Sequence, residues 1–372
     1  MNHSVPIPDN SAEKACHELN VSYCYRSRPV LARLTVPMDR HVAVNLGDEK
    51  IGLFGGFGVC TAEIFDVRTE TFRSLSWNQW FADLSGIGIG GGRALLVDGR
   101  HDALFDIKTE RLVQILPTST SEFPAIKGAI PGKGVRWPGM VLLASGEVFI
   151  CGGADDIFRP TGLCILFDPN TQQFRTIGKL VVPRWGHTTT LINEGAVLVT
   201  GGTGVHYWNE SLSSLEIFHL NKGKSELLNV SLSRPRSHHC AVLLADGKVL
   251  IVGGFSPELN LPLADADLFD PCTGTLTSVG PMTVPRTTPQ AARLPSGRVA
   301  VFGGNDDERT IEIYDPKLRI FQSTTYLMVD PRCSGFTVTP LKTGELLIVG
   351  GRVNSGKDVL DTAEIFSETL TH

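Results

Sequence analysis

The sequence predicts an all-β fold: one closed ring of seven small, four-stranded sheets. Residues 182–202, VPRWGHTTTLINEGAVLVTGG, read as a Pro-Arg corner, an apolar strand, a tight turn at Glu194-Gly195 and a second strand closed by two glycines. A third short strand follows at residues 215–219. The same pattern returns at 284–304 with 311–315 and at 234–254 with Ala266–Asp270, and less regularly at 36–56, 135–153 and 330–351. A period of about 50 residues marks a repeat architecture. Each unit alternates or runs apolar over short stretches between Gly, Asp and Asn turns, which is strand patterning, and no sustained helical period appears.

Taken in order, residues 1–28 are polar, without periodicity, and read as an N-terminal extension; residues 29–372 read as the ring. Third strands at Ala62–Asp66, Ala103–Asp106, 165–168, 215–219, Ala266–Asp270, 311–315 and 363–367 count seven units. The second unit is degenerate, with Asp98 in place of the first glycine of its pair and residues 86–92, GIGIGGG, as its first strand and turn. The last unit lacks a fourth strand of its own. Residues 29–41 resemble 174–187, where a fourth strand runs into a corner, so the segment near 30–35 is expected to complete the last sheet and close the ring.

Composition limits the partners. The chain has 372 residues, 42% of them hydrophobic, which is ample for a large core, and a net charge of −5 gives no electrostatic footprint for nucleic acid. No run of eighteen apolar residues predicts a membrane span, and the N-terminal residues lack the basic and apolar regions of a signal peptide. Eight cysteines without ladder spacing point to a reduced, cytoplasmic setting, and a monomer is expected.

The recurring "PR-x-x-H … DG-x-V-L-V-x-GG … AE-I-F-D" pattern resembles the Kelch-repeat β-propellers over roughly residues 29–370. That resemblance implies four-stranded blades whose first strands line a central channel. Many Kelch blades carry Trp in the fourth strand, where this chain has Phe72, Phe174, Leu276 and Phe321. Galactose-oxidase-like copper enzymes share the propeller, but Ser237-His238 stands where their Tyr-His pair would lie, without the tyrosine. Neither an iron-ligand set like that of the plant specifier proteins nor a residue marking the Kelch-type sialic-acid epimerases is found.

In such a blade the loops between strands one and two, and three and four, share one face and are tight here. The loops between strands two and three, and between blades, share the other face and are long. Long loops on a rigid scaffold carry function, so the site is expected on that face, over the channel mouth. All five tryptophans fall in its loops or corners: Trp77, Trp80, Trp137, Trp185 and Trp208. Trp77, Trp80, Trp185 and Trp208 are candidate apolar anchors, the alternative being that tryptophans cap the wedges between blades. Arg184, Arg236, Arg286 and Arg332 recur at equivalent corners, with Arg136 displaced by one place. They read either as a guanidinium ring for a carboxylate or phosphate, or as a repeat feature that pairs inside the fold.

His41, His187 and His239 share one position in three units, where others have Pro138, Pro289 and Gly335. Three imidazoles pointing inward could hold a transition metal, with His238 and His206 nearby, and His187 and His239 are the candidate catalytic groups if the protein is an enzyme. Acids at Asp155-Asp156 and Asp306-Asp307-Glu308 read as solvated turns. GxSxG, Walker and HExxH motifs are absent. The sequence therefore favours a binding protein for a protein, peptide or small polar, anionic ligand. The alternative is an enzyme of a specialised pathway with a pocket at the same mouth, using His41, His187, His238 or His239.

Overall fold

The computed structural model describes residues 22–76, 84–98, 102–115, 135–155, 157–204, 210–306, 308–353 and 355–371. Trp77, Trp80, Trp208, His206, Asp156 and Asp307 lie outside them. Among the described residues there is no helix, and seven four-stranded antiparallel sheets form the blades. Their innermost strands are Val42–Gly47, Ser85–Gly90, Gly139–Leu142, Thr188–Asn193, Cys240–Leu243, Gln290–Arg293 and Thr337–Pro340, for blades 1 to 7. Each touches the next and the seventh touches the first, which closes the ring around a channel.

Second strands such as Val148–Cys151, Val249–Val252, Val299–Phe302 and Leu346–Val349 are buried along their whole length. Both faces of such a strand are covered by neighbouring blades, so an unbroken apolar run replaces alternation. Seven apolar clusters fill the seven seams; Ile51 and Phe65 of blade 1, for example, pack with Leu347 and Ile365 of blade 7. In place of a fourth-strand tryptophan, Phe72 sits opposite Phe65 with ring centroids 4.8 Å apart, Phe174 opposite Phe167 at 4.7 Å, and Phe321 opposite Tyr314 at 5.0 Å.

The tight-turn face is built by aspartates ending the third strands. The carboxylates of Asp66, Asp106, Asp168, Asp270 and Asp315 each accept from the amide two residues on, at 2.8–3.0 Å. The ring closes through the N-terminus, but earlier in the chain than the expected 30–35. The strand Ser22–Pro29 pairs with Ala363–Thr371, so part of the expected extension belongs to blade 7. Residues 30–33 intervene before Leu34, whose amide bonds to Asp361 as that of Leu180 bonds to Gly162. In blade 3 the fourth strand ends at Lys179, directly before that leucine.

Candidate binding site at the channel mouth

The four corner arginines are structural. Arg184, Arg236, Arg286 and Arg332 are 0% exposed, and each reaches back into its own blade. Arg184 donates to the carbonyls of Gly201 (2.8 Å) and Ser214 (3.1 Å), to Ser214 Oγ (3.1 Å) and to Glu216 Oε1 (2.6 Å). Arg236 binds Gly253, Asp265 and Asp267 in the same way, Arg286 binds Gly303, Thr310 and Glu312, and Arg332 binds Gly350, Thr362 and Glu364. The arginine carbonyls accept from the second glycine of the preceding blade, as in Gly202 to Arg236 at 2.9 Å and Gly254 to Arg286 at 2.9 Å. The expected ring of ligand-binding guanidiniums is thus corrected: these groups face inward, where buried charges require partners.

The histidines are corrected likewise. His41, His187 and His239 do not converge on one point; each wedges into its own seam, against the first glycine of the preceding blade. A Cβ on Gly152 would lie 2.4 Å from His187 Cε1, and one on Gly201 would lie 2.7 Å from His239 Cε1. His41 Nε2 lies 2.9 Å from Thr337 Oγ1, and His239 Nε2 lies 2.9 and 3.1 Å from the hydroxyls of Thr200 and Thr188. Desolvation first, then the charge of Arg332 or Arg184, lowers the pKa of His41 and of His187 to about 3. His239 shifts down for the same reasons, desolvation first and then the charge of Arg236. His187 Nε2 is 3.8 Å from Cys151 Sγ, whose pKa burial raises to about 12, so the pair is a neutral thiol and a neutral imidazole rather than an activated nucleophile. Among the described residues no group of three or more His, Cys, Asp or Glu could hold a metal. In blade 7 the seam position is taken by Phe336, not Gly335, because the corner is one residue longer; Phe336 packs on Gly303.

What faces the mouth is the residue just before each wedge. Arg40, Trp137 and His238 occupy this place with φ of 53°, 50° and 56°. Left-handed backbone at a non-glycine residue is strained and clusters at functional sites. The amide of Arg40 donates to Gly335 O and that of His238 to Gly186 O, both at 2.8 Å, so neighbouring corners are tied together around the rim. Trp137 stacks on Phe158 at 5.8 Å and lies 5.4 Å from Trp185, which meets the His238 ring edge-on at 5.5 Å. Trp185 is itself buried and caps the wedge, while Trp137 is half-buried and Phe158 exposed. Asp155 holds the loop under Phe158: it is buried, not solvated, and accepts from the amides of Ile157 and Arg159 and from Arg159 Nε.

At the junction of blades 1 and 7, Phe57 is 62% exposed, with the guanidiniums of Arg40 and Arg352 at 5.3 and 5.4 Å from its ring centroid. Arg352 is held by the buried Asp39 at 2.5 Å, and Arg40, 56% exposed, reaches the same carboxylate only at 4.0 Å. Desolvation of the His238 ring and, second, the positive charge of Arg40 lower the His238 pKa. The mouth thus carries an aromatic side over blades 3 to 5 and a cationic, aromatic side over blades 7 and 1.

The Kelch motif family matches residues 236–283, from the Arg236 corner through the four strands of blade 5. With seven such blades closed into a ring, the assignment is settled. The chain is a Kelch-repeat β-propeller. An F-box/kelch-repeat protein of Arabidopsis thaliana is 32% identical over 105 residues, 27% of this propeller and 25% of the plant protein, so the match spans about a quarter of that relative. Among solved structures, a fungal alcohol oxidase of the AA5 family in complex with copper superposes with a TM-score of 0.69 at 13% identity, covering 93% of this chain and 76% of that one. YjhT superposes with a TM-score of 0.59 at 14% identity, covering 92% and 100%. Identities this low speak for the fold alone. Arg40, Phe57 and Phe158 are the mouth residues that sequence reasoning missed. Nothing in the spacing of MDRH or GFG marks a side chain turned outward by a left-handed backbone.

Proposed function

We propose that this Kelch propeller is a non-catalytic binding protein that takes a peptide segment of a partner protein across the channel mouth on its long-loop face. The observation that carries the reading is the pair of aromatic surfaces held there on strained backbone, Trp137 with Phe158 on one side and Phe57 between Arg40 and Arg352 on the other. Aromatic and arginine side chains dominate binding energy where they are rigidly presented. The exposed Arg40, rather than the four buried corner arginines, supplies the cation for an acidic or carboxylate-bearing group of the ligand. The wedged His41, His187 and His239 serve the fold, which leaves His238 alone at the mouth among the four histidines that the enzyme reading names.

The test is selection of peptides from a random display library on the immobilised protein, followed by affinity measurement on the wild type and on the Phe57→Ala, Trp137→Ala double variant. The expected result is enriched peptides whose Kd rises at least about tenfold in the variant. Peptides that bind both proteins equally would place the site elsewhere, and no enrichment would count against a peptide ligand.

A further inference from the structure

Blade 1 departs from the corner chemistry of blades 4 to 7. In blade 4 the guanidinium of Arg184 satisfies the carbonyl of the first paired glycine, the hydroxyl of Ser214 and the carboxylate of Glu216. Blade 6 repeats this with Gly303, Thr310 and Glu312, and blade 7 with Gly350, Thr362 and Glu364. Blade 1 keeps every acceptor, as Gly55, Thr61 and Glu63, in the same register: Gly55 N donates to Thr61 O at 2.9 Å, as Gly201 N donates to Ser214 O at 3.1 Å. The corner residue, however, is Met38. Its carbonyl accepts from Gly351 N at 2.8 Å, as arginine carbonyls do elsewhere, and its side chain is 0% exposed.

The consequence is visible atom by atom. Thr35 N and Oγ1 satisfy Glu63 Oε1, at 2.9 and 2.8 Å. Glu63 Oε2 and Thr61 Oγ1 are buried without a hydrogen-bond partner, and Glu63 is 0% exposed. These correspond to Glu216 Oε1 and Ser214 Oγ, the two atoms that share Arg184 Nη2 in blade 4. Blade 3 shows that the chain can drop both sides together, with Val135 at the corner and Ile165 in place of the acid, both buried. Blade 2 has Ala103 in the acid's place. Among the described residues, blade 1 keeps the acid without the arginine.

We propose that blade 1 binds a small monovalent cation, Na⁺ or K⁺, between Gly55 O, Thr61 Oγ1 and Glu63 Oε2. A lone buried carboxylate is costly unless a positive charge accompanies it. The donors are all hard oxygens, which suit alkali ions rather than transition metals. One carboxylate balances one positive charge, and a divalent ion would leave an excess. A methionine side chain ends two bonds short of the arginine nitrogens, so the ion takes the place of the terminal nitrogens while Met38 fills the rest.

The test is thermal unfolding in KCl, NaCl and choline chloride at equal ionic strength, with the wild type and Met38→Arg compared. The wild type is expected to gain roughly 2–4 °C in at least one alkali salt over choline, rising with its concentration. Met38→Arg, which supplies its own cation, should be indifferent to the salt. Equal wild-type transitions in all three salts would overturn the proposal, since a protonated Glu63 or a bound water needs no alkali ion. If the arginine does not fit, crystals grown in RbCl decide the matter: an anomalous peak beside Glu63 Oε2 supports the site, and no peak there refutes it.

Discussion

Arg236 is buried at the corner of blade 5 with Asp267, which is 1% exposed, as its acid. Arg236→Met removes one charge and leaves the other in the interior, so it should lower unfolding stability by about 3–5 kcal/mol in a denaturant titration. Adding Asp267→Ile, which copies the apolar solution of Ile165 at blade 3, should recover much of that loss; no recovery would mean that the pair does more than neutralise itself. The wedge histidines predict a pH dependence. The pKa of His41 and of His187 is about 3 in the folded protein and about 6.5 when unfolded, so at intermediate pH the unfolded chain binds more protons. Stability is therefore full above about pH 6.5 and is lost as pH falls from there toward 3, by up to about 1.4 kcal/mol per pH unit for each histidine. His239→Gln, at a residue whose pKa is also lowered, should flatten the slope between pH 6 and 4 by about one proton. An unchanged slope would show that His239 is not held neutral.

A blade is the unit that the sequence writes most plainly. Third strands begin and end within a residue or two of their expected bounds in most units, because the alternation, the paired glycines and the closing aspartate all recur. The glycine-rich 86–92 segment is a strand for a reason that spacing does not reveal. Gly88 runs so close to blade 1 that a Cβ would lie 2.8 Å from the Asn45 carbonyl oxygen. Gly88→Ala should therefore cost about 1–3 kcal/mol, since the obstacle is backbone, whereas an unaffected transition temperature would mean that the two innermost strands can separate. Legibility failed where one added residue or one side-chain direction decides. The corner of blade 7 is longer by one residue, which put Gly335 in the place that Phe336 takes. The Pro-Arg repeat was visible, but a repeated arginine reads alike whether it points to the mouth or into its own blade; only the acid facing it, as Glu216 faces Arg184, tells which. The outward aromatic and cationic residues at the mouth depend on left-handed backbone, for which Arg40, Trp137 and His238 carry no signal.

Closure joins the two ends of the chain in one sheet. Ser22–Pro29 pairs along its whole length with Ala363–Thr371, from Ser22 opposite Thr371 to Pro29 opposite Glu364. Ser27 Oγ donates to Glu364 Oε2 at 2.6 Å, the carboxylate that also holds Arg332, so the N-terminal strand reaches the blade 7 corner. It also grips blade 6: the Arg298 guanidinium lies 4.3 Å from the Tyr23 ring centroid and donates to Tyr25 Oη at 3.2 Å. Removing residues 1–29 would strip these contacts and expose the edge of Ala363–Thr371, a ready template for pairing with other chains. The truncated protein should unfold well below the wild type and form higher oligomers with rising concentration in light scattering. A synthetic peptide of residues 22–29 should reverse both effects by refilling the edge. A truncated chain that stays monomeric with the wild-type transition would mean that the seams alone hold the ring shut, and that the strand is an ornament on blade 7 rather than its clasp.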